Sequence, residues 1–116
     1  MGLSGSGKSN FCAELRTFLR PHLYLNADSV RKESNDWDFS REGRIRQAQR
    51  MKSLIENSNE SLFLVDMICP LKEMREIICA DTIFFMNRRW VVRYQDTDAV
   101  FEVPTRGECE FFYEIC

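Results

Sequence analysis

The sequence holds a single histidine, His22, and its five cysteines (Cys12, Cys69, Cys79, Cys109, Cys116) form no C-x-x-C pair. Zinc ligation and a Cys–His nucleophilic pair therefore have poor support. No apolar run approaches the ~20 residues of a membrane helix. No basic segment leads into an apolar stretch, so no secretory leader is visible. An odd number of cysteines then reads as reduced thiols in a cytoplasmic protein, several of them core residues. Internal repeats and low-complexity linkers are also missing. Basic side chains are not in excess, with 16 against 18 acidic ones and a net charge of −2, which argues against a generally basic nucleic-acid binder. What is present is 44% hydrophobic residues in 116. That suits one small domain, residues 1–116, and is too apolar for a disordered tail.

Charge is unevenly placed. Residues 95–116 carry six acids against one base, Arg106, and leave the first 94 residues net positive by three. A basic body suits an anionic ligand, and equally a solvated surface. The apolar spacing predicts a helix over residues 8–20, with Phe11, Cys12, Leu15, Phe18 and Leu19 on one face and Pro21 as its stop. Leu23–Leu25 reads as a buried strand ending at Asn26. A second helix spans 40–57, with Ser40 as N-cap and Ile45, Ala48, Met51 and Ile55 inward. Residues 62–66 form a strand ending in Asp66. Pro70 opens a helix that buries Leu71, Met74, Ile77 and Ile78. Strands follow at 82–86 and at 109–116. Helices alternating with apolar strands predict an α/β fold with a mainly parallel sheet.

Gly2-Leu3-Ser4-Gly5-Ser6-Gly7-Lys8-Ser9 satisfies G-x-x-x-x-G-K-[ST] in full. Glycines let such a loop fold tightly, so that successive N–H groups point at phosphates and the following helix adds its positive end. Lys8 is then expected at the β- and γ-phosphates of ATP, and the Ser9 hydroxyl on Mg²⁺. Two carboxylates are placed to complete the site. Asp66 ends a buried strand, the position of a Walker-B acid that holds Mg²⁺. Asp28 follows the 23–25 strand, at the carboxyl end of the sheet where ligands bind; the alternative is that it caps a short helix over Ser29 to Lys32.

Together with the loop, Asn26-Ala-Asp-Ser-Val-Arg31 resembles the adenylylsulfate kinases, whose loop reads GLSGSGKS and whose next strand ends in D-G-D-N-[VI]-R. The resemblance continues through Asn35, Phe39-Ser40, Arg44, Ile68-Cys69-Pro70 and Phe101-Glu102-Val103-Pro104. It implies a P-loop kinase with helices flanking a parallel sheet. It also implies that Asp28 assists deprotonation of the acceptor hydroxyl and Mg²⁺ placement. Arg31 and Arg44 fall on arginines that hold the substrate's phosphosulfate, and Phe39 on the aromatic that stacks on its adenine. Gln47 and Ile68 complete the substrate-binding set. Read without the resemblance, Phe39 is a core residue and Arg44 lies on a solvated helix face.

Departures from the family pattern are specific. Asn26 replaces the first acid, Gln47 an asparagine, Asp66 a serine or threonine, and Cys69 a serine. Only six residues, Asn87 to Val92, separate Met86 from Arg93, so the family's long basic lid is cut short. Arg88, Arg89 and Arg93 are lid arginines or plain surface charge. Met1 stands where the family closes the strand before the loop, so the resemblance implies a chain without that central strand and without a final helix. The implied activity is ATP-dependent phosphorylation of the 3′-hydroxyl of adenylylsulfate. The partners are ATP, Mg²⁺ and adenylylsulfate, with a possible homodimer, no membrane and no nucleic acid. Alternatives are another small P-loop nucleotide, polynucleotide or metabolite kinase, or a nucleotide-binding remnant without turnover.

Overall fold

The computed structural model describes residues 1–2, 6–19, 22–87, 100–105, 107 and 111–114. Among these residues, four helices and four strands follow in order: α1 (Lys8–Arg16), β1 (Leu23–Asn26), α2 (Ala27–Ser34), α3 (Arg41–Glu56), β2 (Phe63–Asp66), α4 (Lys72–Ile78), β3 (Phe84–Asn87) and β4 (Phe111–Glu114). The α/β class expected from the sequence is what the chain adopts. The expected helix over 8–20 is shorter. At Thr17 the backbone N–H and the side-chain Oγ1 both turn back to the Glu14 carbonyl, 3.1 and 2.7 Å away. This local bond competes with helix continuation. The chain leaves the helical path there, and Phe18, expected inward, is 84% exposed. Pro21 lies outside the described residues.

Ser40 caps α3 as its sequence predicts, accepting from the Gly43 N–H at 3.2 Å. Behind it Ala48 and Met51 are fully buried. With Leu25, Val30, Met67, Cys69, Leu71, Met74 and Ile78 they form the core, which lies between β1, β2 and the helices α2, α3 and α4. Cys12 is buried as well, Cys79 is exposed, and all three described cysteines are free thiols.

Among the described residues the strands form two sheets. β1 pairs with β2 in parallel, with Leu23 opposite Phe63 and Asn26 opposite Asp66. β3 pairs with β4 in parallel, with Phe84 opposite Phe111. These are two separate two-stranded sheets. The last strand, expected over 109–116, is 111–114, and the strand expected at 82–86 runs from 84 to 87. β4 pairs with β3 and not, among the described residues, with β2. Among the described residues, Met1 bonds to the edge of β3 that faces β2: its ammonium donates to the Phe84 carbonyl at 2.6 Å and its carbonyl accepts from the Met86 N–H at 2.8 Å. Bonds to residues 84 and 86 are the spacing of a parallel ladder, so Met1 meets the edge of β3 in parallel register.

Candidate active site

The loop enters α1 through Gly7, whose φ of 90° puts the helix N-cap in the left-handed region that glycine adopts without strain. At Gly2 the constraint is space, because a Cβ there would stand 2.6 Å from the Met86 carbonyl oxygen and 2.8 Å from Ser6 Oγ. Ser6 is buried and its Oγ finds no hydrogen-bond partner among the described residues. Leu3, Ser4 and Gly5, expected to contact ATP, lie outside the described residues.

Asp66 is the hub. Ser9 Oγ, Tyr24 OH and Asn26 Nδ2 all donate to its Oδ2, at 2.9, 2.7 and 3.3 Å. The register explains the convergence. Asn26 sits directly opposite Asp66, and Tyr24, two residues back on the same face of β1, reaches it diagonally. The carboxylate is only 4% exposed, so donors in place of water hold its charge. Burial, then donation to Asp66, pushes the Tyr24 phenol up to about 12. The Arg16 guanidinium lies 4.3 Å from the Tyr24 ring centroid and donates from Nε to His22 Nε2 at 3.1 Å. Tyr24 did not stand out in the sequence, and Asn26 did so only as a replacement for the family's first acid. The available signal was their same-face spacing on a strand beside one ending in a carboxylate.

The second group gathers at the carboxyl ends of β1 and β2. Asp28, Arg31, Phe39, Arg44, Gln47 and Ile68 line one small cleft of about 40 Å³. Every residue expected to bind the acceptor is therefore in one place. Asp28 is exposed in the first turn of α2. It is not the cap: Asn26 caps α2, accepting from the Ser29 N–H at 3.1 Å. Arg44 is 5% exposed, which overturns the solvated-face reading. Its Nε donates to the Phe39 carbonyl at 2.8 Å and its guanidinium lies 5.5 Å from the Phe39 ring centroid. Arg31, equally buried, approaches the same ring at 4.6 Å and gives Nη1 to the Asp36 and Asp38 carbonyls. Gln47 donates to the Ala27 carbonyl at 3.0 Å and accepts from Arg50 at 2.6 Å, tying α3 to the start of α2.

A bracket missed in the sequence holds the loop that carries Phe39. Arg46 grips Asp36 with two nitrogens at 2.8 and 3.0 Å, and Arg50 adds a third contact at 2.8 Å. These hydrogen bonds hold the Asp36 carboxyl well below its usual range. Arg46 and Arg50 stand four apart on α3, the spacing that puts two side chains on one face. On the far side of the cleft, Cys69 has a φ of 53° and its carbonyl accepts from the buried Arg75 at 3.1 Å. The Glu102 N–H donates to the Pro70 carbonyl, and its carboxylate accepts from the Lys72 N–H at the start of α4. Phe101 stacks on Phe85. Arg88, Arg89 and Arg93 lie outside the described residues.

A glycine loop opening a helix, its serine bonded to a strand-end carboxylate, and helices beside parallel strands define a P-loop kinase fold. The adenylylsulphate kinase family model matches residues 1–111, and the chain belongs to that family. Among solved structures it is similar to the Mycobacterium tuberculosis APS kinase CysC, solved in complex with AMPPNP and APS, with a TM-score of 0.54 and 30% identity. The match covers 68% of this chain and 50% of the mycobacterial one, so the chain spans about half the length of that protein. Compared with curated proteins, the sequence matches none. No helix among the described residues is long and apolar enough to cross a membrane.

Proposed function

We propose that the protein transfers the γ-phosphoryl group of ATP to the 3′-hydroxyl of adenylylsulfate. The observation that carries this reading is the single cleft formed by Asp28, Arg31, Phe39, Arg44, Gln47 and Ile68. An acid, two guanidinium groups and an aromatic ring are the side chains that an acceptor with a hydroxyl, a phosphosulfate and an adenine requires. The structural relative solved with AMPPNP and APS supports the same assignment.

The residues present suit ATP and Mg²⁺. The close approach at Gly2, the left-handed Gly7 and the buried Ser6 hydroxyl support an anion at this loop. Ser9 Oγ donates a hydrogen bond to Asp66, which leaves the lone pairs of the hydroxyl oxygen for a cation. No cluster of three or more His, Cys, Asp or Glu side chains exists among the described residues. Mg²⁺ takes one or two protein oxygens and fills its shell with water and phosphate. Ser9 and Asp66 would hold it, and it would neutralise charge developing on the phosphates. Lys8 reaches the β- and γ-phosphates. The acceptor oxygen attacks the γ-phosphorus in line, the bond to the β–γ bridging oxygen breaks, and the hydroxyl proton passes to Asp28. Arg31 and Arg44 fix the acceptor's anionic end. Such a transfer depends on positioning and charge neutralisation more than on covalent catalysis.

Release of ADP, followed in a coupled assay against a panel of acceptors, tests the reading. Adenylylsulfate is expected to be preferred. Faster turnover with a plain nucleoside monophosphate overturns it and promotes a different small P-loop kinase; ATP binding without turnover on any acceptor leaves a nucleotide-binding remnant.

A further inference from the structure

Gln47 borders the acceptor cleft, yet it is 1% exposed and both ends of its amide are engaged within the protein. Its Nε2 donates to the Ala27 carbonyl at 3.0 Å, and its Oε1 accepts from Arg50 Nη1 at 2.6 Å. Arg50 gives its other terminal nitrogen to Asp36 Oδ2 at 2.8 Å. Hydrogen bonds thus run without a break from Asp36 to the Ala27 carbonyl. Ala27 is the first residue of α2, and Asp28 follows it directly.

Asp36 also holds a second part of the cleft. Its Oδ1 accepts from the Asp38 N–H at 3.2 Å, which closes the turn that leads to Phe39. Its main-chain carbonyl accepts from Arg31 Nη1 at 3.0 Å, and the Arg31 guanidinium lies 4.6 Å from the Phe39 ring centroid. Arg46 grips the carboxylate with two further nitrogens. Arginines from α2 and α3 therefore meet at one residue that does not itself line the cleft. Its side chain is 14% exposed, so salt screens these ion pairs less than it does at an open surface.

We propose that Asp36 is a positioning residue for the acceptor, acting on the cleft through two arms. One arm runs through the turn and Arg31 to Phe39; the other runs through Arg50, Gln47 and Ala27 to Asp28. Gln47 is then a link in the second arm and not a contact to the acceptor. This assignment rests on the reading of the cleft as the acceptor site. Misplacing a positioned group by about 1 Å costs up to about a hundredfold in rate, even when the altered residue is remote from the chemistry. The two arms have different kinetic signatures. Loosening Phe39 and Arg31 weakens acceptor binding, whereas moving Asp28 slows the transfer step after binding.

The test compares the chain with its Asp36→Asn, Asp36→Glu, Gln47→Glu and Arg41→Met variants. Calorimetry gives Kd for adenylylsulfate and for MgATP, steady-state kinetics give KM and kcat, and melts establish the folded fraction of each variant. Asp36→Asn keeps the shape and removes the charge. It is expected to raise Kd and KM for adenylylsulfate roughly tenfold to a hundredfold while Kd for MgATP stays within about twofold. Asp36→Glu restores the carboxylate and is expected to recover part of the loss. Gln47→Glu keeps an acceptor for Arg50 but sets an oxygen against the Ala27 carbonyl, so kcat should fall roughly tenfold with acceptor Kd within about threefold. Arg41→Met removes the Arg41–Glu73 ion pair from the same helix and should change neither quantity. Equal weakening of both ligands by Asp36→Asn, or a lower melting temperature with unchanged acceptor Kd, overturns the proposal and leaves Asp36 a stability residue. A tenfold rise in acceptor Kd with unchanged kcat in Gln47→Glu also overturns it and makes Gln47 a direct contact. If the unaltered chain binds adenylylsulfate without turnover, the reaction falls alone, and the acceptor Kd of Asp36→Asn still decides for or against the positioning role. An unaltered chain that does not bind adenylylsulfate overturns both.

Discussion

Replacing Tyr24 by phenylalanine removes one oxygen and tests whether Asp66 is held by its three donors as a unit. The lost bond is short, at 2.7 Å, and its acceptor is an almost fully buried carboxylate. Hydrogen bonds to charged groups contribute about 1.5–3 kcal/mol. Tyr24 is half-buried, so the lower end applies, about 1.5 kcal/mol, or roughly 6–10 °C in melting temperature for a domain of this size. Asp66 keeps Ser9 and Asn26 as donors, so the variant is expected to fold. Asp66→Asn removes the charge and weakens all three bonds. In the double variant Tyr24→Phe should then cost less, with a coupling energy on the order of 1 kcal/mol from the cycle. The phenol adds an independent check. Its ordinary value is 10.0 and the fold raises it to about 12. The neutral phenol therefore contributes stability that is complete below pH 10 and lost as pH rises toward 12, and Tyr24→Phe should remove that alkaline loss. Urea melts at pH 7 and across pH 9–12 supply both numbers. Additive single and double variants, or an unchanged alkaline limb, would refute the three-donor account.

The other expectations are more direct. Lys8→Ala should weaken ATP binding by calorimetry roughly tenfold to a hundredfold, the equivalent of one charge-assisted contact; equal affinity in both forms would remove Lys8 from the phosphate site. Arg31→Ala should lower kcat/KM for adenylylsulfate by roughly tenfold to over a hundredfold. It should also lower the melting temperature, because Arg31 holds the Asp36 and Asp38 carbonyls as well as facing Phe39; an effect on stability alone would make it a scaffold residue. The buried Met1 ammonium has a pKa depressed below its ordinary 8.0 by burial. Its contribution is therefore present above pH 8 and lost as pH falls through the lower, folded value. Nα-acetylation should flatten stability across that window, as read from melts at pH 6 to 8.5.

The parts of this fold that were legible in the sequence are those set by near neighbours. α3 announced itself through Ser40 at its start and Ala48 and Met51 at helical spacing. The glycine loop and its helix were legible for the same reason. Distance along the chain is what hid the rest. Asp66 could be placed at a strand end, but its bonds to Tyr24 and Asn26 depend on a register between segments some 40 residues apart. Arg44 looked solvated because nothing local offers a buried cation a partner. Its burial depends on the Phe39 carbonyl and ring, positioned by the bracket from Asp36 to Arg46 and Arg50. The division into two sheets was hidden for a related reason, since strand patterns show where strands are and not which edges meet.

The start of α2 shows how local chemistry can still mislead, and it yields a test. Asn26 and Asp28 are both good N-cap residues, and they stand two positions apart at the end of the same strand. From spacing alone Asp28 could cap a helix beginning at Ser29. The backbone decides otherwise: Asn26 has φ −98° and ψ 123°, extended as a cap requires, and its side chain accepts from the Ser29 N–H. Asp28 is one residue into the helix, where a carboxylate near the N-terminus gains only a fraction of a kcal/mol from the dipole, about 0.3–1. Asn26→Ala should therefore cost about 1 kcal/mol for the cap. It loses a further contribution from the bond to Asp66, so the total should approach about 2 kcal/mol. Asp28→Ala should cost well under 1 kcal/mol and leave the melt almost unchanged while abolishing or sharply slowing phosphoryl transfer. Opposite behaviour, with Asp28→Ala destabilising and still active, would assign Asp28 to the helix and take the proton acceptor out of the proposed reaction.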